Sequence, residues 1–161
     1  MTKGIKFSAA LLAAALAGAT VAYAATSTET SGNSGAMAAQ ANMNALGISA
    51  PRTQGDVTFI SGGVGQDSIR AMHAMAHKYD LRLMFAVKGS GEYLANVRVK
   101  LESPKGKTIV DAMSEGPYFY AKVPPGKYQV VAESEGRTMT RSVDITHGRA
   151  VSQPFYWSAA S

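Results

Sequence analysis

The chain has 161 residues, a formal net charge of +5, 46% hydrophobic residues and no cysteine. That length suits one folded domain with flanking segments, and without cysteine a disulfide framework is excluded, so a packed core must supply the stability. A positive excess this small does not mark a nucleic-acid binder, and no nucleic-acid partner is expected.

Residues 1–24 read as a targeting segment. Lys3 and Lys6 precede a mainly apolar stretch from Phe7 to Val21, and Ala22-Tyr23-Ala24 fits a signal-cleavage site. The stretch is rich in Ala and broken by Gly18 and Thr20, short of the ~20 apolar residues that a bilayer core requires. No cysteine follows it to carry a lipid, and no twin arginine is present. The expectation is a Sec-type signal peptide and a periplasmic or secreted protein that does not span the membrane after cleavage. Removing 24 residues and two lysines leaves 137 residues with a formal charge of +3.

Residues 25–55 show no usable periodicity. They are rich in Ser, Thr, Gly, Asn and Ala, with few large apolar side chains. Such a segment cannot offset its ordering entropy, so a disordered leader is expected, with only Ala propensity for a transient helix from Ala36 to Leu46.

The folded domain is expected over residues 56–157, with a short tail at 158–161. Asp56 to Ile60 reads as an edge strand and Ser61 to Gly65 as a turn. Asp67 or Ser68 is placed to cap a helix reaching Tyr79. Its stripe of Ile69, Met72, Met75, Ala76 and Tyr79 suits a helix laid on a sheet. Leu81, Leu83, Phe85 and Val87 then alternate with Arg82, Met84, Ala86 and Lys88, the period of a strand. Five further strands follow, at Val97–Glu102, Thr108–Met113, Tyr118–Val123, Lys127–Glu133 and Thr138–Ile145. Ser103-Pro104-Lys105-Gly106 fits a type I turn, and Val123-Pro124-Pro125-Gly126 and Glu135-Gly136 turn the chain again. Thr146 to Arg149 reads as a hairpin turn before a last strand from Ala150 to Trp157. Short strands at this spacing predict a mainly β fold, an antiparallel sandwich with one short helix near its start. Arg141 shares the parity of Met139, Val143 and Ile145, which implies either a bulge or an inward charge on an edge strand.

The run from Gly116 to Ala132, with Pro-Pro-Gly-Lys-Tyr at its centre, resembles carboxypeptidase-regulatory-like modules. Ala95 to Val99 and Lys105-Gly106-Lys107 are similar to that module's opening hairpin, and the likeness covers roughly residues 81–147. It implies a transthyretin-like or Ig-like sandwich. It implies no enzyme: the modules accompany a separate catalytic domain, and the hydrolases of related fold end in Tyr-Arg-Gly-Ser. This chain closes with Phe155-Tyr156-Trp157-Ser158.

Four groups of residues bear on chemistry. Gly62-Gly63-Val64-Gly65 precedes a helix but lacks both Walker and dinucleotide spacing, so a turn is expected and no cofactor. His73 and His77, at i and i+4, share a helix face in the manner of zinc or copper ligands, although Arg70 stands beside them and no third ligand is evident. No Ser lies in a nucleophile motif, so catalysis is not expected. Arg82, Lys88, Arg98 and Lys100 form a basic strip if their two strands pair, and Tyr118 and Tyr120 form either core or a contact patch. The function expected is therefore a non-catalytic exported binding or structural module of the cell envelope, meeting a protein or an anionic envelope polymer. The alternative is a periplasmic metal-binding protein using His73 and His77.

Overall fold

The computed structural model of the chain describes residues 31–159. The expected signal peptide, the beginning of the leader and the end of the tail lie outside them. Among the described residues nine strands form two sheets. One runs in the order β1 (Arg52–Gln54), β2 (Val57–Gly62), β6 (Tyr118–Lys122), β3 (Leu81–Val87) and β9 (Val151–Trp157). The other runs β5 (Thr108–Ser114), β4 (Val97–Glu102), β7 (Gly126–Ser134) and β8 (Arg137–Ile145). Inward residues of both sheets meet in one core, where Phe59, Leu83, Phe85, Phe119, Phe155 and Trp157 face Val97, Val99, Val110, Val130, Val143 and Ile145. The alternation in each strand makes this possible, because every second side chain points to the same side.

The turns follow their residues. Gly106 N–H donates to the Ser103 carbonyl at 2.9 Å, closing the Pro-containing turn. Glu135 and Gly136 both take positive φ, 50° and 74°, the geometry of a two-residue type I′ hairpin between β7 and β8.

Several expectations change. β2 is not an edge strand: β1 pairs with it on one side and β6 on the other. The sheets are not wholly antiparallel, since β9 runs parallel to β3 from Leu81↔Val151 to Val87↔Trp157. A parallel partner needs a long crossover, and here β4 to β8 supply it. Thr146 to Arg149 is accordingly a crossing between sheets and not a hairpin, although Arg149 N–H donates to the Thr146 carbonyl at 3.3 Å. Arg141 lies on β8, an edge strand whose pairing with β7 is regular throughout, and its side chain is exposed. An edge charge, not a bulge, accounts for it.

The segment expected to be a spacer as far as Gly55 carries structure. α1 (Ser31–Ala45) is a helix, Ile48 and Ser49 are buried, and β1 begins at Arg52. Ser49 N–H donates to the Ser61 carbonyl at 2.8 Å, and Ser61 N–H donates to Ser49 Oγ at 2.8 Å. The Gln54 side chain exchanges two hydrogen bonds with the Asp111 backbone, at 3.0 and 2.9 Å, pinning β1 of one sheet to β5 of the other. Arg52 pairs with Glu115 at 2.8 Å. No described helix is long and apolar enough to cross a membrane.

Candidate binding site

α2 (Gln66–Met75) lies on the outer face of the first sheet and continues as a 3-10 turn at Ala76–Lys78. Neither Asp67 nor Ser68 caps it. Gly65 holds the cap position, and Ser68 Oγ accepts the Gly63 N–H at 2.8 Å. The stripe of Ile69, Met72, Met75, Ala76 and Tyr79 packs on Ile48, Ile60, Tyr118 and Tyr120, a second apolar cluster outside the main core. Close approach explains two of the loop glycines. Gly63 has φ +99°, and a Cβ there would collide with the Tyr118 ring, while one on Gly62 would press on Ile48 at 3.1 Å. These glycines let the chain lie flat under the helix; their role is packing, not phosphate binding.

The helix covers only the β2–β6 half of that face. On the β3–β9 half the register sets Arg82 between Tyr120 and Ser152, and Met84 between Tyr118 and Pro154. The result is a cleft of about 400 Å³ between the helix, at His73 and Ala76, and strand β9, at Pro154 and Tyr156. No Asp or Glu among the described residues lines it. Tyr118 donates its hydroxyl hydrogen bond to Tyr93 Oη at 3.0 Å, and His73 stands edge-on to the Tyr118 ring with centroids 5.2 Å apart. Burial, aided by that hydrogen bond, pushes the Tyr118 phenol well above its ordinary range. Burial also raises Tyr120, and the positive charge of Arg82 draws it partly back. Arg82 Nε is buried and has no hydrogen-bond partner among the described residues.

The residues singled out from sequence are distributed as follows. Tyr118 and Tyr120 are 7% and 4% exposed, within the outer cluster and bordering the cleft, so they are not an open contact patch. Arg82 and Lys88 lie on or just beyond β3, whereas Arg98 and Lys100 lie on β4 of the other sheet, so the pairing needed for one basic strip does not occur. Arg98 forms a bidentate pair with Asp111 at 2.9 and 2.8 Å. His73 and His77 do not share an α-helical face, because α2 stops at Met75 and His77 falls in the 3-10 turn. His73 borders the cleft, and His77 Nδ1 contacts the Ala74 carbonyl at 2.8 Å. Among the described residues no three His, Cys, Asp or Glu side chains gather as a metal site.

Met84, Ser152, Gln153, Pro154 and Tyr156 are cleft residues that sequence reasoning passed over. A signal for the first existed: Met84 and Ala86 share the face of Arg82, and apolar residues on a nominally wet face mean that something covers it. The β9 residues carried no such signal, since their place depends on the parallel pairing.

No family model matches the chain, and no curated protein does. Among solved structures it is similar to the major pilin subunit of Bacillus cereus, at 14% identity and a TM-score of 0.39, over 50% of this chain and 29% of the pilin. A variant of that pilin gives 14% identity and a TM-score of 0.40, over 49% and 29%. The matched part is under a third of the pilin's length.

Proposed function

We propose that this chain is a non-catalytic binding module of the cell envelope, a sandwich of the carboxypeptidase-regulatory-like kind. It is exported to the periplasm or beyond by residues 1–24, and its binding site is the cleft beside α2. The observation that carries this is the half-covered outer face: a helix shelters Tyr118 and Tyr120 and stops short of β9, leaving an apolar hollow of about 400 Å³ with one cationic side chain in it. Small-molecule sites have this make-up, with apolar and aromatic walls and few polar groups.

The buried hydroxyls favour binding over catalysis. Ser68 Oγ accepts from Gly63 N–H, Ser114 Oγ donates to the Gly116 carbonyl at 2.8 Å, and Ser49 Oγ accepts from Ser61 N–H. Each serves the backbone, whereas a nucleophile requires a base within hydrogen-bonding reach. The test is a fragment screen on the purified protein, followed by NMR of the Met84 methyl and the Tyr118 and Tyr120 rings. Fragments that bind should shift these signals together. A screen whose hits all map to other surfaces, or that gives none, sinks the assignment of the site.

A further inference from the structure

Among the residues that line the cleft, Arg82 carries the one permanent charge. Its position is fixed by two neighbours in the sheet, Tyr120 on β6 and Ser152 on β9. Its Nε is buried without an acceptor. Buried donors are paired as a rule, and Arg82 is among the residues that line the cleft. The other described arginine–carboxylate pairs are Arg52 with Glu115, Arg70 with Asp67, Arg98 with Asp111 and Arg137 with Glu135. Arg141 and Arg149 are exposed without a carboxylate partner among the described residues, whereas Arg82 lines the cleft, where no carboxylate of the described residues stands.

The walls define the remainder of the occupant. Tyr118, Tyr120 and Tyr156 supply rings, and Met84 and Pro154 supply apolar surface. The Tyr118 hydroxyl is engaged by Tyr93, so its ring and not its oxygen is what the cleft offers. A volume of about 400 Å³ is at the low end of the ~300–1,000 Å³ typical of ligand sites, a size that suits a small molecule.

We infer that the cleft binds a small aryl carboxylate, its carboxylate on the Arg82 guanidinium and its ring among Tyr118, Tyr120 and Tyr156. This rests on the cleft being the binding site and adds the class of ligand. One anion answers one cation, and a guanidinium matches a carboxylate geometrically as no neutral group does.

The probes are 3-phenylpropionate, the neutral 3-phenylpropan-1-ol of the same chain length, the cation phenethylamine, and acetate. They are titrated into the protein with calorimetry and NMR of the Met84 methyl. Phenylpropionate should bind at the cleft, the alcohol at least ~10-fold more weakly, as loss of a charge-assisted bond predicts, and phenethylamine and acetate not measurably. Arg82→Gln should remove the preference for the acid over the alcohol. Tyr156→Ala, at an exposed position on the rim, should weaken phenylpropionate, and it keeps the test open if the Arg82 variant fails to fold. Equal binding of acid and alcohol at the cleft overturns the carboxylate assignment and leaves the cleft as a site. Binding of the acid that shifts no cleft signal, or that both variants leave unchanged, overturns the inference. So does failure of phenylpropionate to bind while other fragments occupy the cleft. Failure of every probe and every fragment there overturns the inference together with the function on which it rests.

Discussion

Gly116 lies against Gly62 so closely that a Cβ would meet the Gly62 carbonyl carbon at 2.5 Å and its Cα at 3.0 Å. Backbone cannot yield as a flexible side chain can. Gly116→Ala should therefore destabilise the protein by about 1–3 kcal/mol, the range of overpacked cores, read from urea unfolding. Gly35→Ala is the contrast: it lies in α1 with open space around it, and Ala is the better helix former, so stability should hold or rise slightly. A second residue-scale expectation concerns acid. The hydrogen bond from Arg98, together with its charge, holds the Asp111 carboxyl below the ordinary carboxylate range. Its value in the fold is then lower than the ~3.9 of an unfolded Asp. The contribution is complete above that pH and is lost as pH falls through the folded value. Urea midpoints of Asp111→Asn should accordingly drop less between about pH 4 and pH 2 than those of the parent. Neither contact was legible in the sequence. Gly116 stands just before the strand read from Tyr118, with nothing in the sequence to place it against Gly62, and Asp111 is 13 residues from Arg98 across a turn.

At the scale of elements, the alternating strands were readable because each carries a dry face and a wet one. The helix was readable because its stripe of apolar residues had to rest on something. Residues 46–54 were not, because they contribute one apolar anchor and a set of polar contacts, which leave no period. Ile48 is 2% exposed within the outer cluster, and Gln54 bonds across to β5. Ile48→Ala should cost about 2–4 kcal/mol, as for other buried Ile or Leu truncations, measured by thermal or urea unfolding. A disordered leader would leave the midpoint unchanged. The same gap in the pattern concealed the cleft. One of its walls is β9, whose parallel partner is far away in sequence, so Pro154 and Tyr156 could not be set beside Met84 without the topology.

For the whole molecule, composition and period indicated a β-rich domain stabilised by one core, and two facing sheets carry that core. Which strand belongs to which sheet did not follow from the sequence, because neighbours in the chain are separated in space where β3 and β4, or β8 and β9, part company. The parallel seam between β3 and β9 has a consequence for how the chain is made. Phe155 and Trp157 complete the core around Phe85, yet they are synthesised after the other eight strands. Until they emerge, Phe85 lacks two of its aromatic neighbours and β3 lacks one of its two partners. Long-range pairing of this sort is slow to form. The last residues of the described domain are therefore the ones that let this sheet close and the core around Phe85 fill.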